Sequence, residues 1–228
     1  MKLNSGVLLL SAFLPALFIA SAGVARGDDG KSPSPESHAV SAATPLALGK
    51  PAPMAAEPMK AGDGQYVSIG GVAGKKGTLV IFTCNHCPWV KAWQARIAAI
   101  GNAALEGGIG VVAVNPNDPG AYPEDDYEQT RARAKALGFK FAYAVDSTSE
   151  VARAFGATHT PEVFLFDASG RLVYHGGVDD NARDEKAVQE HWLQDAVAAV
   201  AAGKPVRLAE TKALGCSVKL RAREKSGT

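Results

Sequence analysis

Thr78-Leu79-Val80-Ile81-Phe82-Thr83-Cys84-Asn85-His86-Cys87-Pro88 runs from an apolar strand pattern into a C-x-x-C pair and on into the start of an amphipathic helix. The order carries the chemistry. A strand fixes where the cysteines sit. The unpaired N–H groups and positive dipole end of the following helix stabilise a thiolate there. The stretch predicts a strand–C-x-x-C–helix unit suited to thiol–disulfide exchange.

Other uses of the two cysteines fit less well. Covalent c-type haem needs a histidine directly after the second cysteine, where Pro88 stands. A structural zinc site usually draws four ligands from two knuckles, and the remaining cysteine is the remote Cys216. Cys84, His86 and Cys87 offer a metal site as the next alternative, although such close neighbours do not readily surround a tetrahedral ion. A purely structural bridge across this helix turn closes too small a loop to stabilise much.

Working outward, 228 residues with 46% hydrophobic content suit one domain plus tails, and a formal charge of +1 gives no reason to expect nucleic acid. Lys219, Arg221, Arg223 and Lys225 read as a solvated basic tail. At the other end, Lys2, the apolar run Val7 to Ala20 broken by Pro15, and the small residues Ala20-Ser21-Ala22 read as an export signal. The expectation is a signal peptide over 1–22, cleaved after Ala22, and a periplasmic or other extracytoplasmic location. The run is short for the roughly 20 residues that span a bilayer, so an uncleaved signal anchor is the alternative and the one membrane contact expected. Outside the cytosol disulfides persist. Three cysteines then imply a working pair and one extra thiol rather than a disulfide scaffold.

Residues 23–45 are rich in Ala, Ser, Pro, Gly and Asp and predict a disordered linker. A domain over 46–205 follows, then a tail over 206–228 carrying Cys216. Within the domain, Asp63-Gly64 marks an N-terminal hairpin. Val90, Trp93, Ile97 and Ile100 predict a helix from Cys84 to about Ala104. Ile109 to Val114 suits a strand buried on both faces, followed by the loop Asn115-Pro116-Asn117-Asp118-Pro119-Gly120. Further on come a helix over Pro123 to Leu137, a strand over Phe139 to Val145 and a short helix over Glu150 to Phe155. A hairpin of Thr160 to Phe166 with Arg171 to His175 and a last helix over Arg183 to Ala201 complete the domain. This alternation predicts an α/β fold, a central mixed β-sheet flanked by helices. Ligand chemistry in such sheets gathers beyond the carboxyl ends of parallel strands, an edge that collects Cys84 and the Asn115 loop.

Taken together, these motifs resemble the redoxin branch of the thioredoxin fold, related to alkyl hydroperoxide reductase and thiol-specific antioxidant proteins. The matching pieces are Gly49-Lys50-Pro51-Ala52-Pro53, Asp63-Gly64, Thr83-Cys84-Asn85-His86-Cys87-Pro88, Asn115-Pro116-Asn117-Asp118 and Thr160-Pro161-Glu162-Val163-Phe164-Leu165-Phe166-Asp167. Gly215-Cys216-Ser217-Val218-Lys219 resembles the tail of a subset of such proteins, so the likeness spans roughly Leu46 to Lys219. It implies an exported thiol–disulfide oxidoreductase that needs no bound cofactor, acting on protein thiols or disulfides with an upstream thiol donor or disulfide acceptor. Cys84 would be the nucleophile, the more exposed thiol and the one of lower pKa, with Cys87 resolving. His86, if protonated, would add to thiolate stabilisation. Thr160-Pro161 would form a cis-proline element that binds substrate as an added strand, with Asn85 beside the substrate. Cys216 would be a third redox thiol working through Cys84, or an inert one.

The chain also departs from these families. Thr83 replaces the tryptophan usual before the first thioredoxin cysteine, and Thr78 to Thr83 holds no acid, which leaves the proton acceptor unassigned. The peroxiredoxin pattern P-x-x-x-T-x-x-C fits neither cysteine, which disfavours a redoxin-type peroxidase, the first alternative. The second is a copper-binding assembly factor, with His159 or His175 as the distant ligand.

Overall fold

A computed structural model describes residues 44–223. The expected signal peptide, almost all of the expected linker and the last residues of the tail lie outside this range. Among the described residues no helix is long and apolar enough to cross a membrane.

The Asp63-Gly64 turn joins β1 (Met59–Ala61) to β2 (Tyr66–Val67), and together they form the N-terminal hairpin. The decisive apolar run becomes β3 (Gly77–Phe82), buried along its whole length. After α1 (Pro88–Glu106), β4 (Ile109–Asn115) lies parallel to β3. Then follow α2 (Tyr127–Ala136), β5 (Ala142–Val145) parallel to β4, and α3 (Glu150–Phe155). The chain continues through β6 (His159–Thr160), β7 (Glu162–Asp167), β8 (Leu172–Gly176), α4 (Trp192–Ala201) and β9 (Cys216–Ser217). Seven strands make one mixed sheet in the order β2-β1-β5-β4-β3-β7-β8, while β6 and β9 pair separately. The expected mixed sheet flanked by helices is present, and the fold is thioredoxin-like.

Strand alternation divides the core in two. Leu79, Ile81, Val111, Ala113, Val163 and Leu165 face one side, where α1 brings Trp93 and Ile97 and α4 brings Leu193 and Val197. On the other side Val80, Phe82, Val112, Val114, Phe164 and Phe166 pack against Val151 and Phe155 of α3. Phe155 meets Phe82, Phe164 and Phe166 edge to face. Each such buried side chain contributes on the order of 1.5–3 kcal/mol. Two buried faces explain why β3 and β4 read as continuous apolar runs.

Several elements differ from their sequence expectations, each for a local reason. α1 begins at Pro88, with Cys87 as its N-cap in extended backbone, so Cys84 lies one short loop upstream of the helix. The helix expected over Pro123 to Leu137 is interrupted. A single 3-10 turn (Pro123–Asp125) precedes α2, and Asp126 takes the N-cap, its carboxylate accepting from Gln129 N–H at 2.7 Å. The last of three consecutive acidic residues, Glu124, Asp125 and Asp126, thus allows a fresh helix start. α4 begins at Trp192 rather than near Arg183. The residues before it are held by Arg96, which donates to the carbonyls of Asn181 (2.8 Å) and Ala182 (3.0 Å) as well as to Asp179.

Candidate thiol active site

β3 and β4 end side by side, and Thr83 N–H still donates to Val114 O (2.9 Å) just before the chain turns into Cys84. This register holds the C-x-x-C pair at the carboxyl edge of the sheet. The Thr160–Pro161 peptide, which is cis, faces it from the start of β7. Cys84 Sγ lies 3.2 Å from Thr160 Oγ1, and Cys87 Sγ lies 3.4 Å from Thr160 O. Cys216 Sγ stands 2.7 Å from Cys87 Sγ. Three free thiols and Thr160 therefore converge.

Their inequality differs from the expectation. Cys84 is 1% exposed and Cys87 0%, so both thiols are buried and the expected exposure of Cys84 is not seen. In the reduced protein Cys87 is the sulfur better equipped to hold the negative charge. A hydrogen bond from Cys84 pulls its pKa down to about 4 against the opposing effect of burial, helped by Cys216 and the Val90 N–H at the start of α1. The same hydrogen bond to Cys87 drives Cys84 upward; burial and the Asp125 carboxylate add to this. Cys87, the N-cap of α1, stands nearer the helix N-terminus than Cys84 does, although its side chain makes no full capping hydrogen bond.

The acid missing from β3 comes from elsewhere. Asp125, fully buried in the 3-10 turn after β4, accepts from Asn85 N–H at 2.6 Å and from Asn117 Nδ2 at 2.8 Å. His86 Nδ1 lies 2.5 Å from Asp125 Oδ2, and the ring stacks on Tyr122 with centroids 3.8 Å apart. Ligand atoms of Cys84, His86 and Asp125 fall within 4.8 Å of one another. His86 is thus committed to a buried carboxylate beside Cys84. Sequence reasoning missed Asp125 because nothing local marks it. The available signal was the Asn115 loop, whose Asn115 Nδ2 donates to Asp125 O (3.1 Å) and whose Asn117 orients the carboxylate.

Asn85, expected beside the substrate, turns its side chain into the protein. Its amide is buried, with Nδ2 donating to Glu124 O (2.8 Å) and Thr130 Oγ1 (3.1 Å) and Oδ1 accepting from Tyr143 OH (3.1 Å). Every polar atom of that side chain is used inside the protein, so it fixes the loop instead. The distant histidines are also occupied. His159 Nδ1 lies 2.8 Å from Thr158 Oγ1, and His175 Nε2 lies 2.6 Å from Glu162 Oε1. Neither belongs to the cluster of possible metal ligands.

Glu162 sets the loop that carries Thr160. Its Oε2 accepts from Thr158 N–H (2.7 Å) and His159 N–H (2.8 Å) while Oε1 meets His175. Burial pushes this carboxyl up, but His175 and the two N–H groups outweigh it and hold the pKa below the ordinary value. A carboxylate depressed in the folded state contributes stability above its unfolded pKa of about 4.3, and that stability is lost as pH falls through the lower folded value. Within that acid window, Glu162→Gln is expected to flatten the fall of stability by up to about 1.4 kcal/mol per pH unit, read from urea midpoints across acidic pH. An unchanged slope would refute the assignment.

The Redoxin family model matches residues 47–191, well over half of the chain. The chain belongs to the redoxin family. A solved structure of a hypothetical protein from Sinorhizobium meliloti is 34% identical, covering 79% of this chain and 98% of that one with a TM-score of 0.72. An uncharacterized conserved protein from Geobacillus kaustophilus is likewise 34% identical, covering 78% of this chain and 94% of that one at a TM-score of 0.71. A thioredoxin-like protein solved in its oxidized form shares the fold at 20% identity and a TM-score of 0.53, covering 69% of this chain and 97% of that one. No curated protein matches. The redoxin match ends at residue 191, so α4 and the segment bearing Cys216 lie beyond it.

Proposed function

We propose that this redoxin is an exported thiol–disulfide oxidoreductase that exchanges disulfides with protein clients through Cys84 and Cys87. The observation that carries the reading is the convergence of both C-x-x-C sulfurs on Thr160, next to the cis Pro161. The Cys87 thiolate attacks a client disulfide. A Cys87–client bond forms, the client S–S bond breaks, and the leaving client sulfur takes up a proton. Cys84 then attacks Cys87 Sγ, forming the Cys84–Cys87 disulfide and releasing the second client thiolate. Asp125, paired with His86 and within 4.8 Å of Cys84 Sγ, is the carboxylate assigned the Cys84 proton. The reverse sequence oxidises a client. Export rests on the Lys2, Val7 to Ala20 and Ala20-Ser21-Ala22 pattern.

Equilibration of the processed protein against glutathione, with free thiols trapped and mapped by mass spectrometry, tests this reading. A Cys84–Cys87 disulfide is expected. A midpoint near about −120 mV would make the protein a disulfide donor, and one near about −270 mV a reductant fed by a thiol donor. Absence of that disulfide at every ratio would overturn the exchange mechanism.

A further inference from the structure

The C-terminal segment pairs with the strand that carries Thr160 beside the C-x-x-C sulfurs. After α4 the chain returns along β8, His175 N–H donating to Ala209 O (2.9 Å) and Thr211 N–H to His175 O (3.0 Å). It then crosses the thiol site as β9. Cys216 pairs antiparallel with Thr160, Ser217 pairs with His159, and Val218 N–H donates to Thr158 O at 2.9 Å. Beyond the crossing the tail is fastened again. Lys219 N–H donates to Asn117 Oδ1 (2.8 Å), Asp118 N–H to Lys219 O (2.7 Å), and Arg221 Nη1 to Asp146 O (2.7 Å). Backbone on both sides of Cys216 is thus tied to the framework, and the thiol between is delivered to Cys87. Gly215 makes the crossing possible, since a Cβ there would stand 2.2 Å from Thr160 O.

We infer that β9 is a built-in substitute for the client strand and that Cys216 is a third exchange thiol, which takes over the disulfide at Cys87. This step rests on the exchange reading above. The Cys216 thiolate attacks Cys87 Sγ of the Cys84–Cys87 disulfide. The Cys87–Cys216 bond forms as the Cys84–Cys87 bond breaks. The electron pair leaves on Cys84 Sγ, which takes the proton that Cys216 gave up. No electrons enter or leave the protein. A disulfide needs sulfurs about 2 Å apart, so only a small approach separates Cys216 from Cys87. Burial and the neighbouring Cys87 hold the Cys216 thiol up at about 11 in the reduced protein. Oxidising Cys87 removes its charge and eases ionisation of Cys216. The relay passes the disulfide from Cys84–Cys87 to Cys87–Cys216, a pairing that locks the tail against Thr160. A client must lift β9 to reach Cys87.

The test is disulfide mapping of the full chain after oxidation with oxidised glutathione, in the wild type and in Cys84→Ser, Cys216→Ser and Gly215→Ala. Cys84→Ser is expected to form Cys87–Cys216, and the wild type to contain both pairings. Gly215→Ala, which pushes the tail off Thr160 O, is expected to shift the wild-type mixture several-fold toward Cys84–Cys87. If Cys84→Ser keeps both thiols free while Cys216→Ser still forms Cys84–Cys87, the relay is wrong and the exchange reading stands. If Cys216→Ser cannot form Cys84–Cys87, the exchange reading fails and takes the relay with it. An unshifted mixture in Gly215→Ala would overturn the part given to β9.

Discussion

Cys87→Ser is expected to abolish disulfide exchange, because Cys87 is the one sulfur shared by the Cys84–Cys87 and Cys87–Cys216 pairings. Retaining Cys84 and Cys216 does not rescue it, since the thiolate-stabilising donors gather on Cys87. A pKa of about 4 keeps Cys87 ionised at neutral pH, whereas a cysteine of ordinary pKa is only about 3% thiolate at pH 7. Activity of Cys87 should therefore persist well below pH 7 and decline only as pH falls toward that value. Thiolate ultraviolet absorbance across this range gives the midpoint. The assignment of attack to Cys87 has its own check. In the double variant Cys84→Ser with Cys216→Ser, a protein disulfide substrate should accumulate as a mixed disulfide on Cys87. Accumulation instead on Cys84 in the Cys87→Ser protein would restore the order of attack that the sequence suggests.

The second large effect is expected at Asp125. Asp125→Ala should destabilise the fold by about 3–5 kcal/mol, the usual cost of removing one partner from a buried ionic cluster. Asn85 N–H, Asn117 Nδ2 and the His86 ring would all lose their acceptor at once. Asp125→Asn, which keeps shape and one acceptor oxygen, should cost less, about 1–3 kcal/mol. Urea denaturation measures both. A second readout separates a purely structural role from an electrostatic one. The carboxylate helps to hold the Cys84 thiol protonated, so Asp125→Asn should let Cys84 ionise at lower pH. If the thiol titration is unmoved in a folded Asp125→Asn protein, Asp125 does not act on Cys84.

Much of the architecture was legible because it is written in local patterns. Runs such as Ile109 to Val114 declare strands buried on both faces, and the Val90, Trp93, Ile97 stripe declares a helix. The C-x-x-C and Thr-Pro elements could likewise be found one at a time. Boundaries were less legible. Asp126 restarts a helix that periodicity alone would run straight through, and Arg96 fixes the stretch that delays α4, a contact 85 residues away in sequence at Asn181. The acid was hidden, and so was the partner of the third thiol, Cys216, which meets Cys87 rather than Cys84, because each meets the site only through long-range packing.

The sequence by itself determined the mixed α/β sheet and the strand-to-helix placement of Cys84 and Cys87, because these follow from hydrophobic period. The thioredoxin-like fold and the Thr160–Pro161 element followed from the resemblance of its motifs to redoxins. Tertiary structure alone decided which thiols meet at Thr160, which acid stands beside Cys84 and what lies across the site. Those depend on which side chains share a buried volume. Asp125 reaches Cys84 from the turn beyond the carboxyl end of β4, and β9 carries Cys216 to Cys87 across 129 residues of chain. In a buried site, where the effective dielectric is low, such neighbours fix the chemistry of each thiol.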